Sequence, residues 1–237
     1  MDVAEPRPIE HRLDAVLAIG SAAVIAYGVL LLGWPVFIVM ALFWFENVVI
    51  GGLNVVRMLV SGVRMGGAGV LGALFAGAFF TVHYGLFTAV HGMFVVMLFG
   101  LPDMGRDAMD GGLTGPLVRI DERLVADRGA WLAMLAIIAV QAANFVQWGI
   151  ATRERPTPLK ELMGAPYGRI MVLHVTLIAG GFLVMSLHAP VLGALLLIVL
   201  KLAYDLITLR RDPDAGKGIA PLSKANEPLA TDRRNSR

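Results

Sequence analysis

Glu46, Asn47 and Asn54 interrupt an apolar stretch that runs from Trp34 to Val56. A carboxylate in a hydrocarbon setting costs several kcal/mol unless it is protonated, paired or bound to a cation. The same conflict recurs downstream, where His83, His91, His174, His188, Lys201 and Asp205 lie in or beside further apolar runs. Imidazole and carboxylate are ligands for divalent Zn, Fe or Mn and also for Cu. They are equally the groups that take up and hand on protons inside a membrane. The leading expectation is an intramembrane metal site with Glu46, His83, His91 and His174 as ligands and Asp205 as a fifth. Asn47, Asn54 and Lys201 would then orient those ligands or balance their charge. An open coordination position would turn bound water into a nucleophile and make the protein an intramembrane hydrolase of lipid or peptide.

Spacing refines these candidates. Asn47, Gly51 and Asn54 recur at four and seven residues and share one helical face, where the glycine admits a neighbouring helix and the amides bond across it. His83 and His91 are eight residues apart, about 12 Å of helix rise. One ion with Zn–N bonds of about 2 Å cannot bind both on a straight helix. Four readings stay open: two adjacent centres, one ligand with a relay group, haem ligation by one histidine, or packing. Lys201 and Asp205, four apart, can pair on one face. Gln141, Asn144 and Trp148 form a stripe of packing character, with Gln147 nearby. Thr81, Thr88 and Ser186 read as packing hydroxyls, and Met93 and Met97 as packing or lipid-facing residues. His188, beside Pro190, reads as interfacial. No phosphate-binding glycine loop, zincin helix or nucleophile elbow is present.

The elements that must carry these groups follow from composition. The chain has 237 residues, 57% hydrophobic and only 16% charged, with a mean hydropathy of +0.72; soluble domains carry roughly 25% charged residues. Several charge-free windows reach the roughly 20 residues that cross a bilayer core. The apolar runs are continuous rather than alternating, which argues against a β-barrel. The expected fold is all-α, a polytopic membrane bundle with six helices at about 13–32, 36–60, 68–100, 129–151, 168–187 and 190–209. The first helix reads as an uncleaved span rather than a signal peptide. There are no cysteines, so disulfides, thiolate catalysis and soft cysteine-ligated centres are excluded.

Basic residues set the orientation. Arg7, Arg12, Arg57, Arg64, Arg153, Arg155, Lys160, Arg169, Arg210, Arg211 and Lys217 mark the N-terminus, the second and fourth loops and the C-terminus. The positive-inside rule places both termini of this multi-pass membrane protein in the cytoplasm. The net charge of +2 reflects this topology and does not point to nucleic acid. By residue count Glu46, His83, Gln141 and Lys201 fall near mid-membrane. Asn54, Asn144, His174 and Asp205 fall in the cytoplasmic half and His91 in the outer half. The third loop, 101–128, reads as either a surface amphipathic helix around 116–125 or a solvated loop. Residues 1–210 form the transmembrane domain, and the polar, proline-containing segment 211–237 reads as a disordered cytoplasmic tail.

The motifs Trp44-Phe45-Glu46-Asn47 with Gly51 and Asn54, His83-Tyr84-Gly85 with Phe87 and His91-Gly92, and Lys201 four residues before Asp205-Leu206 occur in that order. Over about residues 14–209 the chain resembles an uncharacterised family of bacterial and archaeal integral membrane proteins, classified as a domain of unknown function. The resemblance implies a polytopic membrane protein and draws attention to Glu46, Asn47, Asn54, His83, His91 and Asp205. It implies no activity, cofactor or substrate.

Two other function classes fit the same residues. Buried Glu, His, Lys and Asp are the coupling groups of a small transporter or proton-coupled permease, for which a homo-oligomer would supply the half that no inverted repeat provides. A structural membrane protein would use them only to fix helix packing. The partner common to all three is the lipid bilayer.

Overall fold

The computed structural model describes residues 20, 23–101, 105, 110–112, 114–168, 170–171, 174–175, 195, 198–200 and 202–203. The helix expected at 190–209, much of those at 13–32 and 168–187, and the tail fall largely outside the described residues. His188, Lys201 and Asp205 also lie outside the described residues. Helices and no strand occur among those described.

Among the described residues the fold is framed by helices α1 (Val36–Arg64), α2 (Gly67–Val95), α3 (Thr114–Ala126) and α4 (Arg128–Ala151). A π-helical turn, Val96–Gly100, extends α2. Residues 23–31 and 159–168 are also helical. Pro35, extended at φ −65° and ψ 155°, starts α1, as the Trp34-Pro35 turn predicts. Gly66, at φ 88°, turns α1 back into α2, a conformation that glycine adopts without a Cβ penalty. Just before that turn the backbones nearly touch, since a Cβ on Gly62 would lie 2.7 Å from the Gly69 carbonyl oxygen. Asp127 caps α4 by accepting a hydrogen bond from Ala130 N–H at 2.8 Å. Asp127→Ala is expected to cost about 1 kcal/mol, read as a lower thermal midpoint in detergent.

Burial is uneven along the helices. Val36–Phe43 are at most 8% exposed on every side. They are wrapped by the 23–31 helix, the end of α2, Ile120 and Leu124 of α3 and the start of α4. A second core gathers Met58, Phe80, Tyr84, Trp148, Leu162 and Ile170. Beyond these, α2 turns an apolar stripe outward, with Leu71 at 71%, Phe75 at 77% and Val82 at 72% exposure. These fall at helical spacing on one face, which water would not favour. Val36–Arg64, Gly67–Gly100 and Arg128–Ala151 are long and apolar enough to cross a membrane. The short amphipathic helix of the third loop is present as α3, with Pro116, Ile120 and Leu124 buried and Arg119 paired to Glu122 at 2.8 Å on the outer face.

The fifth helical segment starts nine residues earlier than its predicted start at 168. Pro158 begins it, its carbonyl accepting from the Glu161 and Leu162 amides, and Pro166 sits inside it. A proline in a helix interior leaves the carbonyl four residues back without its donor. That carbonyl is Leu162, and Asn54 of α1 donates its Nδ2–H to it at 2.7 Å. The amide therefore mends the ladder that the proline breaks. Asn54→Leu is expected to cost about 1–3 kcal/mol by orphaning this buried carbonyl. In the Pro166→Ala background the same change should cost less, because the alanine restores a backbone N–H that can serve Leu162. A double-mutant cycle of thermal stabilities reads the difference.

Candidate functional site

The buried face of α2 repeats every three or four residues through Ala73, Ala76, Phe80, Tyr84, Thr88, His91 and Val95. This period turns His91 into the bundle, where it is only 2% exposed. Its Nδ1 lies 2.8 Å from the Phe87 carbonyl oxygen, and its Nε2 lies 2.7 Å from Nδ1 of the half-buried His174. A carbonyl only accepts, so His91 Nδ1 carries a proton. In the neutral ring Nε2 then bears the lone pair, and His174 Nδ1–H donates to it. The lone pair that this chain of bonds leaves over is the one on His174 Nε2. Phe87 flanks both rings, with centroids 4.5 Å from His91 and 6.1 Å from His174, and its π face favours a cation there.

This contact corrects the depth assignment that put His91 and His174 in opposite halves. With the fifth helix starting at 159, His174 lies about 22 Å along it rather than one or two turns. It advances beside α2 in parallel, Tyr167 meeting Tyr84 (6.1 Å between centroids) before His174 meets His91.

The other candidates occupy separate places. His83 faces outward, stacked on Phe79 at 5.5 Å and tilted against Tyr167 at 5.8 Å. Glu46, half-buried on α1, accepts at Oε1 from Gln141 Nε2 of α4 at 3.2 Å. Asn47 donates to the Phe43 carbonyl at 2.8 Å, and its own backbone carbonyl accepts from the Tyr84 hydroxyl at 3.2 Å. The Asn47 and Asn54 Oδ1 atoms are buried without a partner among the described residues. Asp205 and Lys201 lie outside the described residues. Among the described residues no group of three or more His, Asp or Glu side chains closes on one point that could hold a metal ion. Of the predicted ligands within the described residues, His91 and His174 are the pair brought into contact.

A family model described as "Family of unknown function (DUF6498)" matches residues 5–220. The chain belongs to this family of unknown function. The DUF6498 match takes in every candidate from Glu46 to Asp205. No curated protein and no solved structure matches the chain.

A polar knot at the far end of α1 was not legible as such from sequence. Arg57 and Arg64 lie over the Trp148 ring at 5.6 and 5.9 Å. Arg64 also donates to the Thr152 and Gly149 carbonyls that end α4. The signal was available in the spacing of Asn54, Arg57, Ser61 and Arg64, which keeps four polar residues on one face.

Proposed function

We propose that this chain is a multi-pass membrane protein with both termini cytoplasmic, whose His91–His174 pair binds and passes protons in support of a proton-coupled permease function. The observation that carries the reading is the 2.7 Å separation of His91 Nε2 and His174 Nδ1, the spacing of a short hydrogen bond. A tetrahedral ion about 2.0–2.1 Å from each nitrogen would hold them roughly 3.4 Å apart. Proton uptake needs no separation of the rings and no third ligand. Among the described residues, three helices of membrane-crossing length and apolarity supply the setting, and Glu46 with Gln141 supplies a second polar station between α1 and α4. The test is dissipation of an imposed pH gradient in proteoliposomes loaded with a pH-sensitive dye. Wild type is expected to outpace protein-free vesicles by about tenfold or more, and His174→Ala to return the rate to background. Equal rates for the two proteins would refute the reading.

A second reading, a divalent metal site with His91 and His174 as its core, is favoured by one observation. The His91 Nδ1–H is tied to a backbone carbonyl, the arrangement that orients metal-bound imidazoles. Asp205 is the predicted ligand left to add to the pair, since Glu46 and His83 lie elsewhere, and an open position would allow water activation. Stoichiometric metal in detergent-purified protein, lost in His91→Ala, would select this reading over the first.

A further inference from the structure

Between α1 and α2 the surface sinks into an apolar trough of about 310 Å³, lined from end to end by Trp44, Gly52, Val55, Gly85, Thr88 and, at its mouth, Leu117 of α3. Gly52 and Gly85 make it a trough instead of a ridge, since a Cβ at either would meet nothing within 4 Å. Protein encloses Val36–Phe43, whereas past Trp44 apolar side chains emerge, with Val48 38%, Val56 41% and Val63 68% exposed. Trp44 to Arg64 measures about 30 Å at 1.5 Å per residue, the thickness of a bilayer's hydrocarbon core. The trough runs from Trp44 to Val55, about 16 Å. That is about the depth of one leaflet. Amphipathic α3 lies at the mouth with Arg119 and Arg123 on its exposed face.

One polar group in the lining is unspent. The Trp44 indole donates to the Thr88 carbonyl at 2.8 Å. Thr81 donates to the Gly77 carbonyl at 2.7 Å, and Tyr84 to the Asn47 carbonyl at 3.2 Å. The Thr88 hydroxyl, on a residue 6% exposed, is buried without a partner among the described residues, although a buried hydroxyl left unpaired is unfavourable by about 1–3 kcal/mol.

We propose that the trough holds one acyl chain of a bilayer phospholipid, its ester carbonyl accepting a hydrogen bond from Thr88 and its headgroup lying beside α3. The proposal rests on the membrane-spanning reading above and is independent of proton transfer. In hydrocarbon the medium that fills a groove is acyl chain, and the length and apolar lining match one chain.

The experiment has two stages. Membranes holding the full chain are first washed with alkaline carbonate. Release into the soluble fraction would end the membrane reading and this proposal together; retention lets the trough be tested alone. The protein is then reconstituted in phosphatidylcholine vesicles, extracted in mild detergent and weighed by native mass spectrometry. Wild type is expected to retain one phospholipid per chain. Gly52→Leu and Gly85→Leu, which fill the trough, should lower retention by about tenfold, while Gly149→Leu, at an open position on α4, should not. Thr88→Val keeps the volume, removes the hydroxyl and should also lower retention, which covers the case in which a glycine variant fails to fold. Equal retention in wild type and the folded trough variants, or no retained lipid in wild type, would overturn the proposal.

Discussion

Replacing Trp148 with alanine is expected to lower stability by about 3–5 kcal/mol, the range for large aromatic deletions from a core. The indole is fully buried and joins three elements at once. It packs with Met58 of α1 and with Leu162 and Ile170 of the fifth segment, and its Nε1–H donates to Thr157 Oγ1 in the connecting loop at 3.2 Å. Two guanidinium groups lie over its face. Arg57 matters most here, because its Nε is buried without a hydrogen-bond partner among the described residues. With the ring removed, that cation loses the π surface that offsets part of its desolvation, worth about 0.5–2 kcal/mol. Arg64 keeps its bonds to the Thr152 and Gly149 carbonyls, so the end of α4 should stay capped. Trp148→Phe retains a smaller ring and loses the Thr157 bond, and should cost about 1–3 kcal/mol. Thermal unfolding in detergent, followed by circular dichroism, gives both values. A loss below about 1 kcal/mol for Trp148→Ala would show that the knot does not hold the helices together.

How much of this was legible beforehand varied with whether a feature is local. The helices Val36–Arg64, Gly67–Val95 and Arg128–Ala151 were readable because long, largely apolar runs are bounded by residues with their own local physics: Trp34-Pro35, Arg64 with Gly66, and Asp127-Arg128. The start of the fifth helix was not. Lys160, Glu161 and Pro166 resemble a loop until Asn54, 108 residues from Leu162, supplies the missing hydrogen bond. That misplaced start carried His174 to the wrong depth and hid its contact with His91, 83 residues away. The candidate residues could be picked out by the cost of burying them, yet their grouping could not. Glu46 meets an amide on α4, and His83 turns outward, because rotation about each helix axis is set by packing across the bundle. Arg57 and Arg64 looked like loop charges; their shared face with Asn54 and Ser61 gave the better reading.

The tautomers of the histidine pair lead to an asymmetric prediction. His91 has its Nδ1–H committed to the Phe87 carbonyl, which cannot pass a proton onward. On the proposed proton-passing reading it is a fixed acceptor that positions its neighbour, and Nε2 of His174 takes up the exchanging proton. Glutamine at 91 can place its side-chain oxygen where Nε2 stood and still accept from His174 Nδ1–H, although it does not titrate. His91→Gln is then expected to keep proton flux within about threefold of wild type, whereas His91→Leu removes a hydrogen bond to a charged ring, about 1.5–3 kcal/mol, and should lower flux about 10–100-fold. His174→Gln should abolish flux, because no other group of the pair presents a free lone pair. The nitrogen-15 chemical shifts of the two imidazoles provide a readout that packing alone would not move. His91 should show a protonated Nδ1 and a lone-pair Nε2, and that pattern should disappear with His91→Gln while the His174 signal keeps its hydrogen-bonded Nδ1–H. If His91→Gln is as inactive as His174→Gln, His91 itself passes the proton, and the Phe87 carbonyl bond must then break in each cycle.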